Sequence, residues 1–413
     1  MTSLCRNCQT PLEVVVADLG MSPVSNELRD ENTAQNLGQM VYPLNAMVCE
    51  KCWLVQLTDV QTPEHFTEDY VYFSSYSSSW LEHSSAYASA MIDGLRLDYQ
   101  SLVVELASND GYLLQYFKQA GVNVLGIDPT ANTAKRAKEQ HGIDTVIDFF
   151  GLALAQQLAA KGIAADLIAA NNVLAHVPDP RDFLAGVPHI LKPGGTFTIE
   201  FPHLLRMLES CQFDTIYHEH FSYLSLLAVE AMLGDAGLEV YGVEELPTHG
   251  GSLRVFACHK GADIADAARA EGLAKVRRDE KAAKLEVADT YRGFAAEVEQ
   301  RKFDLLSFLI NARREGKTVL GYGAPAKGST MLNYCGIGPE LLGFTVDLSP
   351  VKQGHLLPGV NIPVRHPDAL MEARPDYILI LPWNLRDEIA LQLQDAREWG
   401  AQFVVAIPQI EIF

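Results

Sequence analysis

Apolar runs alternate with polar turns along much of the chain, in a pattern typical of parallel α/β sheets. The run Leu102–Leu106 predicts a buried strand, and the polar turn Asn109–Gly111 leads into a helix. A second strand is predicted over residues 124–127, with Asp128 at its carboxyl end. Ligands of open α/β sheets bind beyond the carboxyl ends of the strands, where an acid can bind a ribose diol. We therefore predict a site for a nucleoside-containing cofactor beside Asp128.

The same alternation continues through the centre of the chain and restarts towards the C-terminus. Residues 165–172 predict another strand with a polar tip, and the turn at residues 191–195 precedes a further one. Residues 317–330 predict a strand, a glycine loop and a helix, with more strands over residues 343–347, 377–384 and 402–408. The loop motif from Gly321 to Gly328 is weak alone. It leaves open NAD binding at Asp347, although a structural or sugar-nucleotide role is favoured.

These elements predict an α/β protein of several units, as does a length of 413 residues. Residues 261–315 are rich in Ala, Glu, Lys and Arg, which predicts exposed helices that bridge domains. We expect a small N-terminal module over residues 1–68 and a central Rossmann-like domain over residues 69–260. A helical connection over residues 261–300 then leads to a second Rossmann-like domain over residues 301–413.

The charge balance narrows the class of partner. With 32 basic and 52 acidic residues, the chain carries a formal charge of −20, which argues against nonspecific binding to nucleic acid or anionic membranes. The first residues lack an apolar signal-peptide core, and no apolar stretch is long enough to cross a membrane. A cytoplasmic protein that acts on a small molecule is expected, and the domain plan could serve as a monomer.

Four of the seven cysteines form two C-x-x-C pairs, namely Cys5, Cys8, Cys49 and Cys52. Two such knuckles suit tetrahedral zinc, because each aims two thiolates at one ion. The pairs lie about 40 residues apart, so the segment between them must form its own strands or a long excursion, and residues 12–16 and 41–44 permit this. Disulfides are the alternative, but they conflict with a reducing compartment. Four thiolates leave no open coordination position, so the predicted zinc is structural.

The turn after the first predicted strand, Glu105-x-Ala107-x-Asn109-x-Gly111, indicates which cofactor binds. A dinucleotide site needs glycines where the backbone approaches a pyrophosphate, and the acids of this turn would repel that group. Carboxylates can instead pair with an ammonium or a sulfonium group, which favours S-adenosylmethionine. A structural Rossmann-like unit without a cofactor remains the alternative.

The predicted chemistry lies in residues 213–223, which carry two histidines, a glutamate and two tyrosines close together. Such a loop can transfer protons. If it were extended, Tyr217 and Glu219 would share one face, and His218 and His220 the other. A metal site and a purely structural role are the alternatives. Residues 70–83, rich in hydroxyls and aromatics, predict either a polar pocket lining or a capped helix that docks on the sheet.

Together these segments resemble, in order along nearly the whole chain, the zinc-containing C-methyltransferases that act on nucleotide-linked 4-keto-deoxysugars. The resemblance rests on the four cysteines, the predicted cofactor turn, the Tyr217–Tyr223 segment, the segment Thr248–Arg254 and the C-terminal glycine loop. Ala107 and Asn109 depart from the glycines of the usual family turn. The resemblance implies S-adenosylmethionine and structural zinc as cofactors. It also implies cofactor contacts from Glu105, Ala107, Ser108, Asn109, Asp110, Gly111, Asp128, Pro129, Asp148, Phe149, Asn171 and Asn172.

The resemblance also implies catalytic roles. His220 is expected to remove a proton from the carbon beside the ketone, with Glu219 orienting or tuning it and Tyr217 near the keto oxygen. His176 and a tyrosine, Tyr72 before Tyr76, are expected to complete the sugar pocket.

The resemblance further implies that the nucleotide diphosphate of the substrate, with dTDP as the expected nucleotide, lies against the C-terminal domain. Lys327 and Lys352 are the residues expected to bind it there. An NAD-dependent oxidoreductase that acts on sugar nucleotides and a noncatalytic binding protein remain the alternative functions.

Overall fold

The computed structural model describes residues 3–31, 38–58, 73–262, 264 and 266–413. The described residues form three larger sheets and one two-stranded sheet. The larger ones are a four-stranded antiparallel sheet near the N-terminus, a seven-stranded central sheet and a six-stranded C-terminal sheet. The fold is an N-terminal zinc-binding module followed by two Rossmann-like α/β units, as the sequence predicts. Among the described residues, no helix is long and apolar enough to cross a membrane.

The N-terminal module contains β1 (Val14–Ser22), β2 (Arg29–Asp30), β3 (Tyr42–Val48) and β4 (Val55–Leu57). Strands β1, β3 and β4 form an antiparallel sheet, so the segment between the cysteine pairs does make its own strands. The fourth strand of this sheet is β10 (Ser222–Tyr223), which the central unit supplies. The N-terminal module is therefore continuous with the loop predicted to carry the chemistry.

The central sheet runs in the order β11-β12-β9-β8-β5-β6-β7. Its remaining strands are β5 (Leu102–Leu106), β6 (Asn123–Ile127), β7 (Thr145–Val146), β8 (Ala165–Asn171), β9 (Leu191–Pro202), β11 (Leu238–Leu246) and β12 (Ser252–His259). Strand β5 pairs in parallel with both β6 and β8, and only β12 runs antiparallel to its neighbours. The strand order reverses beside β5, which is the usual position of a ligand in such sheets.

Helices cover both faces of the central sheet. They are α1 (Ser78–Leu95), α2 (Leu114–Gln119), α3 (Ala131–His141), α4 (Leu152–Ala160), α5 (Pro180–Ile190), α6 (Leu204–Glu209) and α7 (Leu226–Asp235). The parallel strands β5 and β8 are almost wholly buried, because helices shield them on both sides. Their carboxyl ends are left free to form a site.

Two helices lead to the C-terminal unit: α8 (Ala267–Ala282) and α9 (Ala288–Arg314). Helix α9 crosses residue 301, the expected limit of the helical connection. It also buries an apolar stripe that includes Tyr291, Phe294 and Leu305, and this stripe packs in one core with strands of the N-terminal module and of the C-terminal unit. The helix is therefore a packing element between sheets as well as a connection.

The C-terminal sheet runs in the order β16-β14-β13-β17-β18-β19, with only β19 antiparallel. Its elements are β13 (Val319–Tyr322), α10 (Ala326–Cys335), β14 (Thr345–Val346), β16 (Val364–Arg365), α11 (Asp368–Ala373), β17 (Tyr377–Ile380), α12 (Arg386–Gln392), β18 (Gln402–Val405) and β19 (Glu411–Ile412). The two-residue strand β15 (His355–Leu356) pairs instead with β2 of the N-terminal module. The predicted second Rossmann-like unit is thus present.

Candidate active site

The turn after β5, which we call the cofactor loop (residues 107–111), adopts a backbone that glycine would favour. Ala107, Asn109 and Gly111 have φ of 58°, 47° and 81°. These are alternate positions of the predicted turn, and the first two are where this sequence departs from the family glycines. Asparagine tolerates this conformation, whereas alanine does so at a cost of about 1–2 kcal/mol. The loop therefore keeps the glycine-type shape without two of its glycines.

Asp128, at the tip of β6, holds this loop in place. Its Oδ2 accepts a hydrogen bond from the Asn109 amide at 2.9 Å, and its Oδ1 accepts one from the Thr130 amide at 2.9 Å. The hydroxyl groups of Thr130 and Thr133 also donate to Oδ1. Asp128 is only 5% exposed, so these donors offset the cost of burying its charge. The acid is at the predicted edge of the sheet, fixed against the loop.

Buried polar atoms without a hydrogen-bond partner among the described residues lie in the cofactor loop and at the carboxyl end of β8. They are Ser108 Oγ, Asp110 Oδ1, Asn171 Oδ1 and Asn172 Oδ1. Buried polar atoms are rarely left unpaired, because each costs about 1–3 kcal/mol, so their clustering marks a place for a ligand. A set dominated by acceptors fits the ammonium and hydroxyl donors of S-adenosylmethionine and is poorly suited to a pyrophosphate.

Glu105, on β5, adds a buried acid beneath the cofactor loop. Its side chain is fully buried. Burial raises the pKa of this carboxyl well above its ordinary value; a hydrogen bond with Tyr112 opposes the rise, and the charges of Asp128 and Asp110 add to it. A nearby ligand cation would favour the ionised form. The three acids thus give this edge of the sheet a preference for positive charge.

Beyond β7, Asp148 and Phe149, two of the predicted cofactor contacts, lie at the surface. Asp148 is exposed and accepts a hydrogen bond from the Phe149 amide at 2.8 Å, and the Phe149 ring is 45% exposed. An exposed aromatic ring next to an acid can pack against a purine and bind its amino group. Pro129 follows Asp128 and is half-buried. These positions are compatible with the predicted cofactor contacts.

The segment before α1 covers the cofactor loop. The amide of Ser74 donates to Asn109 Oδ1 at 3.0 Å, and the Ser75 hydroxyl donates to Asp110. Tyr76 is 70% exposed, and its hydroxyl accepts a hydrogen bond from Arg136. The described contacts of Tyr76 are therefore on the cofactor side and do not place it beside His220, where the sugar pocket was expected. Tyr72, the preferred tyrosine, lies outside the described residues.

The predicted catalytic loop (residues 213–223) forms a turn at Tyr217–His220 instead of an extended strand. The His220 amide donates to the Tyr217 carbonyl at 2.9 Å, which closes the turn. Tyr217 consequently stacks on His220, with ring centroids 3.9 Å apart, while His218 is fully buried beside Tyr42 of β3. The expected pairing of alternate residues is wrong, because it assumed a period of two.

His220 is held with one ring nitrogen ready to accept a proton. Its Nδ1 lies 2.9 Å from the Thr215 carbonyl, which can only accept, so Nδ1 carries the hydrogen and Nε2 is the acceptor. The Tyr217 hydroxyl donates to this Nε2 at 2.7 Å. Burial, reinforced by the neighbouring His176, lowers the pKa of His220 well below its ordinary value. The imidazole is therefore neutral at neutral pH.

His176 and Glu219 complete the loop's surroundings. His176 Nδ1 donates to the backbone carbonyl of Glu219 at 2.7 Å, and its ring lies edge-on to His220 at 4.8 Å. The Glu219 side chain accepts a hydrogen bond from Asn26 of the N-terminal module at 2.9 Å. In the described contacts, the Thr215 carbonyl orients the His220 ring. Glu219, which was expected to do so, contacts Asn26 instead. Burial raises the pKa of the Glu219 carboxyl.

Lys327 reaches the catalytic loop from the C-terminal unit. Its Nζ donates to Asn384 at 2.8 Å and lies 4.6 Å from the centre of the Trp383 ring. The Trp383 indole in turn donates to the buried Asp214 at 2.7 Å. Burial raises the pKa of Asp214 to about 6, against the opposing charge of Lys327, and the same charge contributes to the low pKa of His220.

Lys352, the other predicted substrate lysine, has contacts of a different kind. Its Nζ donates to the Ala324 carbonyl at 3.0 Å and lies 3.6 Å from Asp347. Both acceptors belong to or adjoin the C-terminal glycine loop (residues 321–328). The structure therefore brings Lys327 towards His220, while the described contacts of Lys352 are within the C-terminal unit.

Sequence reasoning missed His249. This side chain is exposed at the surface, while desolvation by the surrounding protein lowers the pKa of its imidazole. Its ring lies 5.4 Å from that of Trp80, and the charge of Lys327 also lowers its pKa. Two adjacent glycines, Gly250 and Gly251, follow it within the segment Thr248–Arg254, and this pair was the signal in the sequence that could have identified the histidine.

The four predicted zinc ligands converge. The Sγ atoms of Cys5, Cys8, Cys49 and Cys52 all lie within 4.8 Å of one another. Cys5 and Cys52 are separated by 3.5 Å between Sγ atoms, and Cys8 and Cys49 by 3.4 Å, too far for disulfides and near the about 3.8 Å edge of a tetrahedral zinc–thiolate site. The hydrogen bond between Cys5 and Cys52 lowers the pKa of Cys5 and raises that of Cys52, so one thiolate of this pair is favoured over the other. The cluster fits structural zinc.

A Rossmann-like sheet with an acid-rich, acceptor-lined loop, joined to a four-cysteine zinc module, defines a zinc-containing S-adenosylmethionine-dependent methyltransferase. Comparison with known proteins makes this assignment more specific. Sequence profiles match in consecutive segments: a zinc binding domain over residues 5–66, a methyltransferase domain over residues 82–243 and a C-methyltransferase C-terminal domain over residues 247–408. The precise domain limits stay predictions.

The chain is similar over nearly its full length to C-methyltransferase NovU of Streptomyces niveus. The two are 36% identical over 406 residues, which cover 98% of this chain and 95% of NovU. The chain therefore belongs to the family of this enzyme and is a C-methyltransferase that uses S-adenosylmethionine.

More distant similarities cover only part of the chain. The ubiquinone biosynthesis O-methyltransferase of Xylella fastidiosa (strain M23) is 31% identical over 134 residues, covering 30% of this chain and 54% of that enzyme. The crystal structure of PH0226 protein from Pyrococcus horikoshii OT3 is 15% identical, with a TM-score of 0.38, and covers 46% of this chain and 95% of that one. Such a TM-score carries no argument about function.

Proposed function

We propose that this C-methyltransferase methylates the carbon beside the ketone of a nucleotide-linked 4-keto-deoxysugar, with dTDP as the nucleotide. The observation that carries the proposal is the state of His220. Its Nδ1 donates to the Thr215 carbonyl, its Nε2 is the acceptor nitrogen and accepts from the Tyr217 hydroxyl, and its pKa lies well below the ordinary value. The carbon beside a ketone becomes a nucleophilic enolate when it loses a proton, and a neutral imidazole can accept that proton.

Tyr217 is placed to support that proton transfer. Its hydroxyl donates to the same Nε2 that would accept the substrate proton, so the hydroxyl and the substrate would meet at one ring nitrogen. When a keto sugar is bound, the hydroxyl can turn its hydrogen bond to the keto oxygen and stabilise the charge that develops on the enolate. S-adenosylmethionine, when bound by the cofactor loop, supplies an electrophilic methyl group to that carbon.

The remaining polar groups around His220 provide a pocket for a sugar. His176 fixes the backbone of the catalytic loop through the Glu219 carbonyl, and the Glu219 carboxylate keeps one buried oxygen, Oε2, without a hydrogen-bond partner in the described part of the chain. That oxygen can accept from a sugar hydroxyl or amino group. Lys327 supplies a cation for the anionic part of the substrate. Roles for Lys352, Tyr72 and Tyr76 in substrate binding stay predictions.

The proposal is tested by replacing His220. His220→Ala should fold, keep its affinity for S-adenosylhomocysteine and lose about 100-fold or more of methyl transfer to a dTDP-4-keto-deoxysugar, because the general base is gone. The measurement is transfer of labelled methyl from S-adenosylmethionine. His366→Ala is a matched control, because His366 is exposed and pairs only with Asp368 in the described contacts. Near-normal turnover of His220→Ala would exclude it as the base.

The nucleotide part of the proposal needs a separate measurement. Ligands that bind only the folded state raise its melting temperature, so S-adenosylhomocysteine, dTDP and NAD can be compared in one thermal-shift series. We expect stabilisation by S-adenosylhomocysteine and by dTDP. Stabilisation by NAD alone would favour an oxidoreductase, whereas no response to dTDP would remove the nucleotide-linked substrate and leave the base unaffected.

A further inference from the structure

The zinc module is joined to the catalytic loop by a strand. Ser222 pairs with Gln56, and Tyr223 pairs with Val55, so the end of the catalytic loop completes the antiparallel sheet of the zinc module. The Leu57 amide also donates to the Phe221 carbonyl at 3.0 Å. Phe221 follows His220 directly, so the position of the proposed base depends on how this sheet is held.

Arg6 connects the metal site to the same segment by its side chain. It lies inside the first knuckle, between Cys5 and Cys8, and its guanidinium donates to the Phe221 carbonyl and, at 3.2 Å, to the Ser222 hydroxyl. The Arg6 amide donates to Gln56 Oε1 at 2.9 Å. One residue between two zinc ligands thus contacts both positions that follow His220.

Gln56 closes this network on the metal side. Its side chain is fully buried, and its amide nitrogen lies 3.2 Å from Cys5 Sγ, where it donates to the sulfur. Its oxygen accepts from Arg6, while its backbone pairs with Ser222. Donors to metal-bound sulfur fix the orientation of the ligand. The chain of contacts therefore runs from a zinc ligand through Gln56 and Arg6 to the catalytic loop.

The second knuckle has no corresponding link among the described residues. Lys51, its basic residue, is exposed, and its backbone amide donates to Cys49 Sγ at 3.4 Å. The two knuckles thus share the metal-binding geometry, but the described side-chain contacts with the catalytic loop come from Arg6. This difference provides a matched control within one metal site.

We propose that Arg6 is a positioning residue, which couples the zinc-bound shape of the first knuckle to the placement of His220. The effect on turnover rests on the proposed function of His220, whereas the coupling of the zinc site to the loop does not. Zinc in this enzyme is then more than a fold stabiliser, because the loop that carries the base takes its position from the metal site.

The experiment compares Arg6→Gln, Arg6→Lys and Lys51→Gln in the full-length, zinc-loaded enzyme. For Arg6→Gln we expect unchanged bound zinc and S-adenosylhomocysteine affinity, faster amide hydrogen exchange across residues 217–224, and a loss of turnover of about tenfold to a hundredfold. The acid limb of its pH–rate profile should move, because His220 has changed surroundings. Arg6→Lys should recover part of the activity, and Lys51→Gln should match the wild type.

Any other result contradicts one identifiable part of the proposal. Wild-type exchange and turnover in Arg6→Gln would remove the positioning role, and loss of zinc from that variant would make Arg6 a metal-site residue instead. Ser222→Ala removes one end of the contact without altering the knuckle, and should show the same change in exchange to a smaller degree. Altered exchange with turnover that survives His220→Ala would keep the coupling and contradict the proposed base.

Discussion

The central and C-terminal units use the same device at the tip of their second strand, with different consequences. In the central unit, Asp128 accepts a hydrogen bond from the Asn109 amide of the cofactor loop at 2.9 Å. In the C-terminal unit, Asp347 accepts one from the Ala324 amide of the glycine loop at 2.7 Å. Each acid therefore fixes the turn after the first strand of its sheet.

What surrounds the two turns differs. The cofactor loop lies among buried acceptor atoms that lack a partner in the described structure, including those of Ser108, Asp110 and Asn171. Directly after the C-terminal glycine loop, Ser329 Oγ is a single atom of this kind in the described part of the chain. The Lys352 ammonium contacts Ala324 there, and the Pro382 ring lies where a side chain on Gly323 would stand. The comparison teaches that the shared turn marks a fold, whereas a group of several unpaired acceptors marks where a ligand binds.

The largest expected difference between the two units is the effect of replacing Asp128 and Asp347 on cofactor binding. Asp128→Ala should weaken S-adenosylhomocysteine binding by about tenfold to a hundredfold, because charge-assisted hydrogen bonds that hold the loop are lost. Asp347→Ala should leave that affinity unchanged. Titration calorimetry checks both. An equal loss of S-adenosylhomocysteine affinity in both variants would contradict a cofactor site in the central unit alone.

The two lysines of the C-terminal unit give the next largest contrast. Lys327→Met should reduce methyl transfer by about tenfold, since the cation that faces the catalytic loop is removed. Lys352→Met should act mainly through the stability of the glycine loop, because its described contacts are Ala324 and Asp347. Steady-state kinetics beside thermal melts separate these effects. A larger kinetic loss for Lys352→Met would reverse the assignment.

The pH dependence of turnover should also differ between the variants of Lys327 and Lys352. His220 must be neutral to act as a base. Because its pKa is lowered, the imidazole stays neutral at pH values below its ordinary pKa of 6.5, so the acid limb of kcat/KM, which reports the free enzyme, should lie below pH 6.5. The nearby Lys327 charge contributes to that lowering. Lys327→Met should therefore move the acid limb to higher pH, and Lys352→Met should not. An acid limb above 6.5 in the wild type would contradict a buried neutral base.

The smallest expected effect compares one alanine in each turn. Ala107 has φ of 58°, so Ala107→Gly should relieve strain and raise the free energy of unfolding by about 0.5–1 kcal/mol. Ala324 has no positive φ, so Ala324→Gly should lower it by about the same amount. Denaturant unfolding measures both. Destabilisation by Ala107→Gly would show that the left-handed backbone at this position carries no strain.

Much of the fold could be predicted because buried strands and helices have recognisable patterns of apolar residues. The predicted strand Leu102–Leu106 is confirmed as β5, and the predicted second Rossmann-like unit is present, since strands shielded by helices on both faces read as continuous apolar runs. The zinc-binding cysteine cluster could also be predicted from the sequence, because each short C-x-x-C knuckle fixes the geometry of its own two ligands.

The candidate site could be predicted only in part, because it is assembled from distant segments. Nothing local indicates that Asn26 meets Glu219, that Trp383 meets Asp214, or that Ser222 joins the sheet of the zinc module. The turn at Tyr217–His220 could not be predicted either, because the sequence of a polar segment without apolar periodicity does not indicate its backbone conformation. Residue types pointed to proton transfer, whereas their partners required the structure.

The central claim, that His220 removes a proton beside the ketone, can be measured without methyl transfer. The wild-type enzyme is incubated with a dTDP-4-keto-deoxysugar and S-adenosylhomocysteine in deuterated water, and deuterium at the carbon beside the ketone is followed by NMR. We predict exchange above the enzyme-free rate in the wild type and none above that rate in His220→Ala. Equal exchange in the two enzymes would contradict the account.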